Sequence, residues 1–185
     1  MRPKARKWRV DRGTPYGGNC APMSTPPPAR STGSLRTEHE TILTSVYAIA
    51  GRVEKLGEQP LPQQMGLARE VLEFVRKKIV PHDRAEEVTL YPAVDWAAGE
   101  GSHVTEVPRF EHKLITRRCE ALDKAIQEGA SSGRLMHLCY AILGLVAAHF
   151  VSTEEVLLPY LDKAFDQPRF EQEVLSPLRV RRNEA

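Results

Sequence analysis

Two stretches of this 185-residue chain carry the same pair of phrases. Glu38-His39-Glu40-Thr41-Ile42 returns as Glu111-His112-Lys113-Leu114-Ile115. His82, Glu87, Leu90, Pro92 and Asp95 return, at equal spacing, as His149, Glu154, Leu157, Pro159 and Asp162. No compositional bias produces that second match. A duplicated two-helix hairpin accounts for both, and it puts one histidine on each of four helices.

Apolar periodicity supports four helices. His39, Ile42, Val46, Ile49, Val53 and Leu56 alternate steps of three and four, which marks one buried helical stripe, with Thr37 as the expected N-cap. After a break at 57–62, a second helix is expected to run to about Trp96 with Val71, Val75, Ile79, His82 and Glu86 inward. Pro81 removes a backbone donor and predicts a kink just before the histidine. A polar loop at 99–107 leads to a third helix starting near Pro108, with His112, Ile115, Cys119, Leu122 and Ile126 on its stripe. A turn at 129–133 precedes a fourth, about 134–165, carrying Leu138, Ile142, Leu145 and His149. No alternating β-branched run competes, so the fold class is all-α.

The organisation that follows is a disordered extension over 1–34, rich in Pro, Gly, Ser and Thr, a bundle over 35–166, and a tail over 167–185. In the tail, Phe170, Val174 and Leu175 predict a short helix packed on the bundle or on a second subunit. Met23 is an expected alternative start. A 41% hydrophobic content fits one core of ordinary size. The net charge of +2 owes much to arginines and lysines at the two ends, Arg2 to Arg9 and Arg179 to Arg182. With no recognisable nucleic-acid module beside them these read as solvated tails, so no nucleic-acid partner is expected. Cys20, Cys119 and Cys139 are odd in number and lack metal-ligand spacing, which points to a reducing compartment. With no uninterrupted apolar stretch of about 18 residues and no apolar segment after the basic start, the expectation is a cytoplasmic protein without a membrane partner.

Chain counting sets the heights of the histidines. His39 lies 18 residues before Gly57 and His82 lies 20 after Pro62; His112 lies 17 before Gly129 and His149 lies 16 after Gly133. Near-equal arms in antiparallel hairpins bring all four imidazoles to one level, at the end opposite the hairpin turns. One histidine on an apolar stripe is usually a hydrogen-bonded core residue. Four at one height would repel if charged and would need separate acceptors if neutral, and a cation satisfies them all.

Carboxylates reinforce this. Glu86, one turn after His82, shares its face, about 40° away, and an inward glutamate is costly unless paired or metal-bound. Glu154 is five residues after His149, about 140° round, and needs a distorted turn to reach inward; the residue at the position matching Glu86 is Thr153. Imidazole with carboxylate suits iron, manganese or zinc, and two bridging carboxylates favour two ions. A ferritin-like Glu-x-x-His occurs only at Glu100 to His103, in a predicted loop, which disfavours that family.

His39, His82-x-x-x-Glu86, His112 and His149-x-x-x-x-Glu154 together resemble the hemerythrin-like, HHE cation-binding domain over about residues 36–165. The resemblance implies an up-down antiparallel four-helix bundle with a non-haem di-iron site. Its metal ligands would be His39, His82, Glu86, His112, His149 and Glu154, with the carboxylates bridging. Oxygen-carrying members place a second histidine one turn after the first on the third helix, where this chain has Thr116. Glu38, Glu87, Glu111, Glu155 or a water are the candidate substitutes for that ligand.

The remaining candidates read more blandly. His103 and His137 are bystanders, Tyr91, Trp96, Phe150 and Tyr160 pack rather than line an access route, and the thiols are small buried hydrophobes. The expected function is iron binding coupled to binding or sensing of dioxygen or a related small diatomic. An enzyme acting on peroxide or dioxygen, and an interaction domain with a structural metal, are the alternatives.

Overall fold

The computed structural model describes residues 30–184, and every regular element among them is helical. The start at Met23, and most of the extension expected to be disordered, lie outside the described residues. Helix α1 (Gly33–Val53) and, after a 3-10 turn, α2 (Leu61–Phe74) form the first hairpin. Its second arm continues through a π turn (Val75–Ile79) into α3 (Val80–Val88) and α4 (Leu90–Ala98). The second hairpin is α5 (Glu106–Gln127) and α6 (Ser132–Ser152), which continues through a π turn (Thr153–Leu157) into α7 (Leu158–Ala164). The tail folds as α8 (Gln167–Phe170), a π turn (Glu171–Leu175) and α9 (Ser176–Glu184), and α9 packs along α3.

The kink expected at Pro81 takes a specific form. Proline cannot donate, and its ring collides with the carbonyl four residues back. Each π turn ends two residues before a proline, namely Pro81, Pro159 or Pro177, and the residue preceding the proline donates five residues back: Val80 to Val75, Leu158 to Thr153, Ser176 to Glu171. The widened turn moves the obstructing carbonyl aside while keeping the helix bonded. At Pro92 the outcome is a break: Thr89 leaves helical geometry at φ −125° and the arm bends between α3 and α4, so no single helix reaches Trp96.

Helix α1 starts four residues before the expected cap at Thr37, whose hydroxyl instead donates back to the Gly33 carbonyl. A distant carboxylate takes the capping role: Asp162 accepts from the Thr32 amide at 3.0 Å and its hydroxyl at 2.8 Å, and Arg36 clamps both residues. The second half repeats the device, with Asp95 accepting from the Thr105 hydroxyl at 2.8 Å ahead of α5 and Arg109 beside both. The aspartate that closes each copy of the duplicated phrase thus pins the start of a histidine-bearing helix in the other hairpin.

Two apolar clusters result. One fills the bundle towards the hairpin turns, with Val46, Val75, Ile115, Leu122, Ile142 and Val146 among its residues. The other, from Leu35, Leu90, Val94, Leu161, Phe170 and Leu178, closes the opposite end with α4 and α7 to α9. The tail is therefore part of the domain, docked by Phe170, Val174, Leu175 and Leu178. Although Ser132–Ala164 is long and apolar enough to cross a membrane by length and composition, it supplies core residues to both clusters and a buried histidine between them.

Candidate metal centre

Between the two apolar clusters lies a polar layer. His39 on α1, His82 on α3, His112 on α5 and His149 on α6 all point into it and are at most 5% exposed. Glu86, fully buried on α3, sits between them. Its Oε1 is 3.2 Å from His82 Nε2 and 3.8 Å from His39 Nε2, while its Oε2 is 3.5 Å from His112 Nε2 and 3.4 Å from His149 Nε2. One carboxylate thus addresses two histidine pairs with separate oxygens.

Donors at metal–ligand distances of about 2.0–2.2 Å around one ion stand roughly 3–3.5 Å apart, close to these separations. Several polar atoms of the layer also lack other uses. Both ring nitrogens of His39, Nδ1 of His82 and Oδ1 of Asp83 are buried without a hydrogen-bond partner among the described residues. Buried polar atoms left so are rare and costly, and cations at the two foci would satisfy the inward-facing ones. The donor atoms form two groups, His39 with His82 and Glu86, and Asp83 with Glu86, His112 and His149, each within 4.8 Å of one another. A pair of cations fits these residues.

Outer carboxylates orient the imidazoles, a common arrangement around metal-binding histidines. Glu87 meets His112 Nδ1 at 2.9 Å and Glu111 meets His149 Nδ1 at 3.0 Å. Glu154 approaches His39 Nδ1 at 3.4 Å and leans on Arg36 at 3.9 Å. The π turn needed to swing Glu154 inward is present, yet Glu154 stands outside the layer, behind His39. Glu87, its counterpart in the duplication, stands in the same relation to His112. The structure therefore places Glu154 as an outer partner rather than a bridge between the two foci, because the +5 position of each arm faces the neighbouring hairpin. Among the expected substitutes for the ligand absent at Thr116, Glu87 and Glu111 orient rings, Glu155 is exposed, and Glu38 is held by Arg179 and Arg182 at 2.6 and 2.8 Å.

Two further residues join the layer, Asp83, which sequence reasoning passed over, and Tyr91, which it read as packing. Asp83 on α3 is 4% exposed, with Oδ1 3.8 Å from His112 Nε2. It lies four residues after Ile79 and three before Glu86, on the stripe already drawn, so the helical period held the signal. Tyr91 is fully buried, with its hydroxyl 2.8 Å from His112 Nε2 and 3.2 Å from Glu86 Oε2 and its ring stacked on His112. No helical count from His82 finds it, because the break at Thr89 intervenes. Phe150 packs against His39 and His82 with ring centroids 4.8 and 5.2 Å away. His103 is exposed beside Glu106, His137 is exposed, and Trp96 lies on the surface under Arg169.

Burial pushes the Glu86 carboxyl up, but the surrounding imidazoles of His82, His112 and His149 overcome it and hold Glu86 well below the ordinary carboxylate value. Burial lowers His39, and Glu154 only partly opposes it. For His149 burial also acts downward, but Glu111 and Glu86 outweigh it and lift it to about 10. His112 is raised by Glu86 and Asp83 against its burial. Burial pushes Asp83 up to about 6 and the thiols of Cys119 and Cys139 up to about 11, leaving the thiols inert.

A model of the hemerythrin HHE cation-binding domain matches residues 31–173, most of the chain. The chain belongs to that family. No curated protein and no solved structure matches it significantly.

Proposed function

We propose that this domain holds two non-haem iron ions and uses them to bind or sense dioxygen or a related small diatomic. The observation that carries the reading is Glu86, whose two oxygens each face a separate pair of imidazoles. His39 and His82 would hold one ion and His112 and His149 the other. Iron would supply Lewis acidity and reversible one-electron chemistry. The chain's own part is to fix donor positions, to orient the rings through Glu87, Glu111 and Glu154, and to keep the layer dry between two apolar clusters. Manganese or zinc suit the same donors. The buried thiols accord with a reducing, cytoplasmic setting.

Metal analysis of the purified full-length chain after anaerobic loading with Fe(II) tests this. About two irons per chain, with a visible charge-transfer band on exposure to air, are expected; failure to retain iron would refute it.

The Tyr91 hydroxyl favours a second reading, an enzyme acting on peroxide or dioxygen. It lies at hydrogen-bond distance from both Glu86 and His112, where a proton can be handed to a reacting oxygen. Peroxide consumption by the iron-loaded chain that falls at least tenfold in Tyr91→Phe, at equal metal content, would establish it.

A further inference from the structure

Behind the outer nitrogens of the imidazoles the duplication follows a rule, with one exception. The glutamate five residues after each arm's histidine meets a ring of the other hairpin: Glu87 lies 2.9 Å from His112 Nδ1 and Glu154 lies 3.4 Å from His39 Nδ1. The glutamate just before the α5 histidine, Glu111, meets His149 Nδ1 at 3.0 Å within its own hairpin. By the same rule Glu38, just before the α1 histidine, belongs to His82. It is engaged elsewhere. Arg179 Nε donates to Glu38 Oε1 at 2.6 Å and Arg182 donates to its Oε2 at 2.8 Å, while His82 Nδ1 stays buried without a partner among the described residues.

Building on the two-ion reading, we propose that Glu38 is a positioning residue for His82 and that α9 is a latch that withholds it, so that release of α9 tightens metal at the His39–His82 focus. A carboxylate accepting from Nδ1–H fixes the tautomer and the ring, leaves the Nε2 lone pair inward and makes it a better donor. His82 Nε2 already faces Glu86 Oε1 at 3.2 Å, so Nδ1 is the end that lacks support.

The latch is built to open more easily than the bundle. Helix α9 packs along α3, the helix that carries His82, yet Leu178 is its one buried side chain. Its other hold is the pair of arginines on Glu38, in ion pairs that water reaches and that contribute little each. Coupling of this kind is reciprocal: whatever draws α9 away strengthens metal binding, and metal at that focus loosens α9.

Competition titration of the full-length chain with Fe(II) against a chelator, under anaerobic conditions, tests the inference. A double variant carrying Arg179→Gln and Arg182→Gln, with Leu178 kept, is expected to hold metal about tenfold more tightly than wild type, the lower end of the range for such a partner. Adding Glu38→Gln is expected to remove that gain. An ion pair that only docks the tail gives a different pattern, a lower melting temperature with no gain in affinity. A second readout needs no metal: in histidine-labelled protein, a strongly deshielded His82 Nδ1 proton, the mark of donation to a carboxylate, is expected in the double variant and not in wild type. The milder Arg182→Gln should move both readouts in the same direction. Affinity and proton signal unmoved in both variants, or a gain that survives Glu38→Gln, would overturn the inference. A wild-type chain that takes up no iron would overturn the two-ion reading, and the proton signal would still decide whether α9 withholds Glu38.

Discussion

The arm from His82 to Asp95 and the arm from His149 to Asp162 share five residues at identical spacing, yet they do different work. The shared residues are scaffold. Each histidine enters the layer, each +5 glutamate stands behind a ring of the other hairpin, each proline reshapes the helix before it as a break or a π turn, and each final aspartate pins the start of a distant helix. The residues that differ are the chemistry: Asp83, Glu86 and Tyr91 in the first arm stand where the second has Phe150, Thr153 and Leu158. Every oxygen donor reaching the foci comes from one arm. The repeated phrase thus supplies the geometry, and the residues that differ supply an asymmetric layer, with carboxylates and a tyrosine from one arm and Phe150 from the other.

The largest effect expected from breaking this asymmetry is at Phe150. Emptying its place with Phe150→Ala should cost roughly 3–5 kcal/mol, the usual range for a buried aromatic, read by denaturant unfolding. Asp83→Leu at the matching position should leave the metal-free protein at least as stable as wild type, since it removes a buried carboxylate with an unpartnered oxygen. A large destabilisation by Asp83→Leu would mean that the carboxylate is structural.

Metal removal comes next. A ligand that binds only the folded chain stabilises it by about 2.7 kcal/mol at a hundredfold excess over its dissociation constant. Chelator should therefore lower the melting temperature by several degrees, and Glu86→Gln should shrink that difference, because an amide nitrogen replaces the oxygen at one focus and both foci lose the carboxylate charge. A chelator-insensitive melt would favour a metal-free interaction domain.

Much of this was legible before the coordinates. The two hairpins, the common level of the histidines and the inward place of Glu86 follow from period and chain counting, because an antiparallel hairpin converts equal arm lengths into equal heights. The start of α1 was not legible, since the aspartate that pins Thr32 lies 130 residues away in the chain, whereas α5 begins within two residues of the expected Pro108. Glu154 was misplaced because a single-helix wheel shows that it turns away from His149 but not that it turns towards His39. Glu87, the same residue in the other copy, held that clue. Thr32 and Arg36 before His39, and Thr105 and Arg109 before His112, were a further repeat in plain view whose meaning depends on Asp162 and Asp95.

The comparison sharpens at the outer nitrogens. Glu111 precedes His112 and orients His149, whereas its counterpart Glu38 precedes His39 and is drawn off by Arg179 and Arg182 of α9, leaving His82 Nδ1 alone. Glu111→Gln should weaken metal about 10- to 100-fold, the range for removing such a partner. Glu38→Gln should change affinity less than about threefold on the same scale. Equal losses from the two would mean that Glu38 leaves α9 for His82 when metal binds.

The smallest expected effect is in protons. Imidazole must be neutral to ligate, so an ion at His112 and His149, both raised and His149 to about 10, displaces protons those rings carry near neutrality. His39 is lowered and has none to give there. Affinity at the His112–His149 focus should then rise with pH between 6 and 8, by about tenfold per unit for each proton released. Calorimetric titration with Fe(II) in two buffers of different ionisation enthalpy counts those protons directly. Wild type should release at least one more proton per chain than Asp83→Asn, which is expected to fill only the His39–His82 focus; equal release at different iron content would place the protons elsewhere and remove the electrostatic difference between the two pairs.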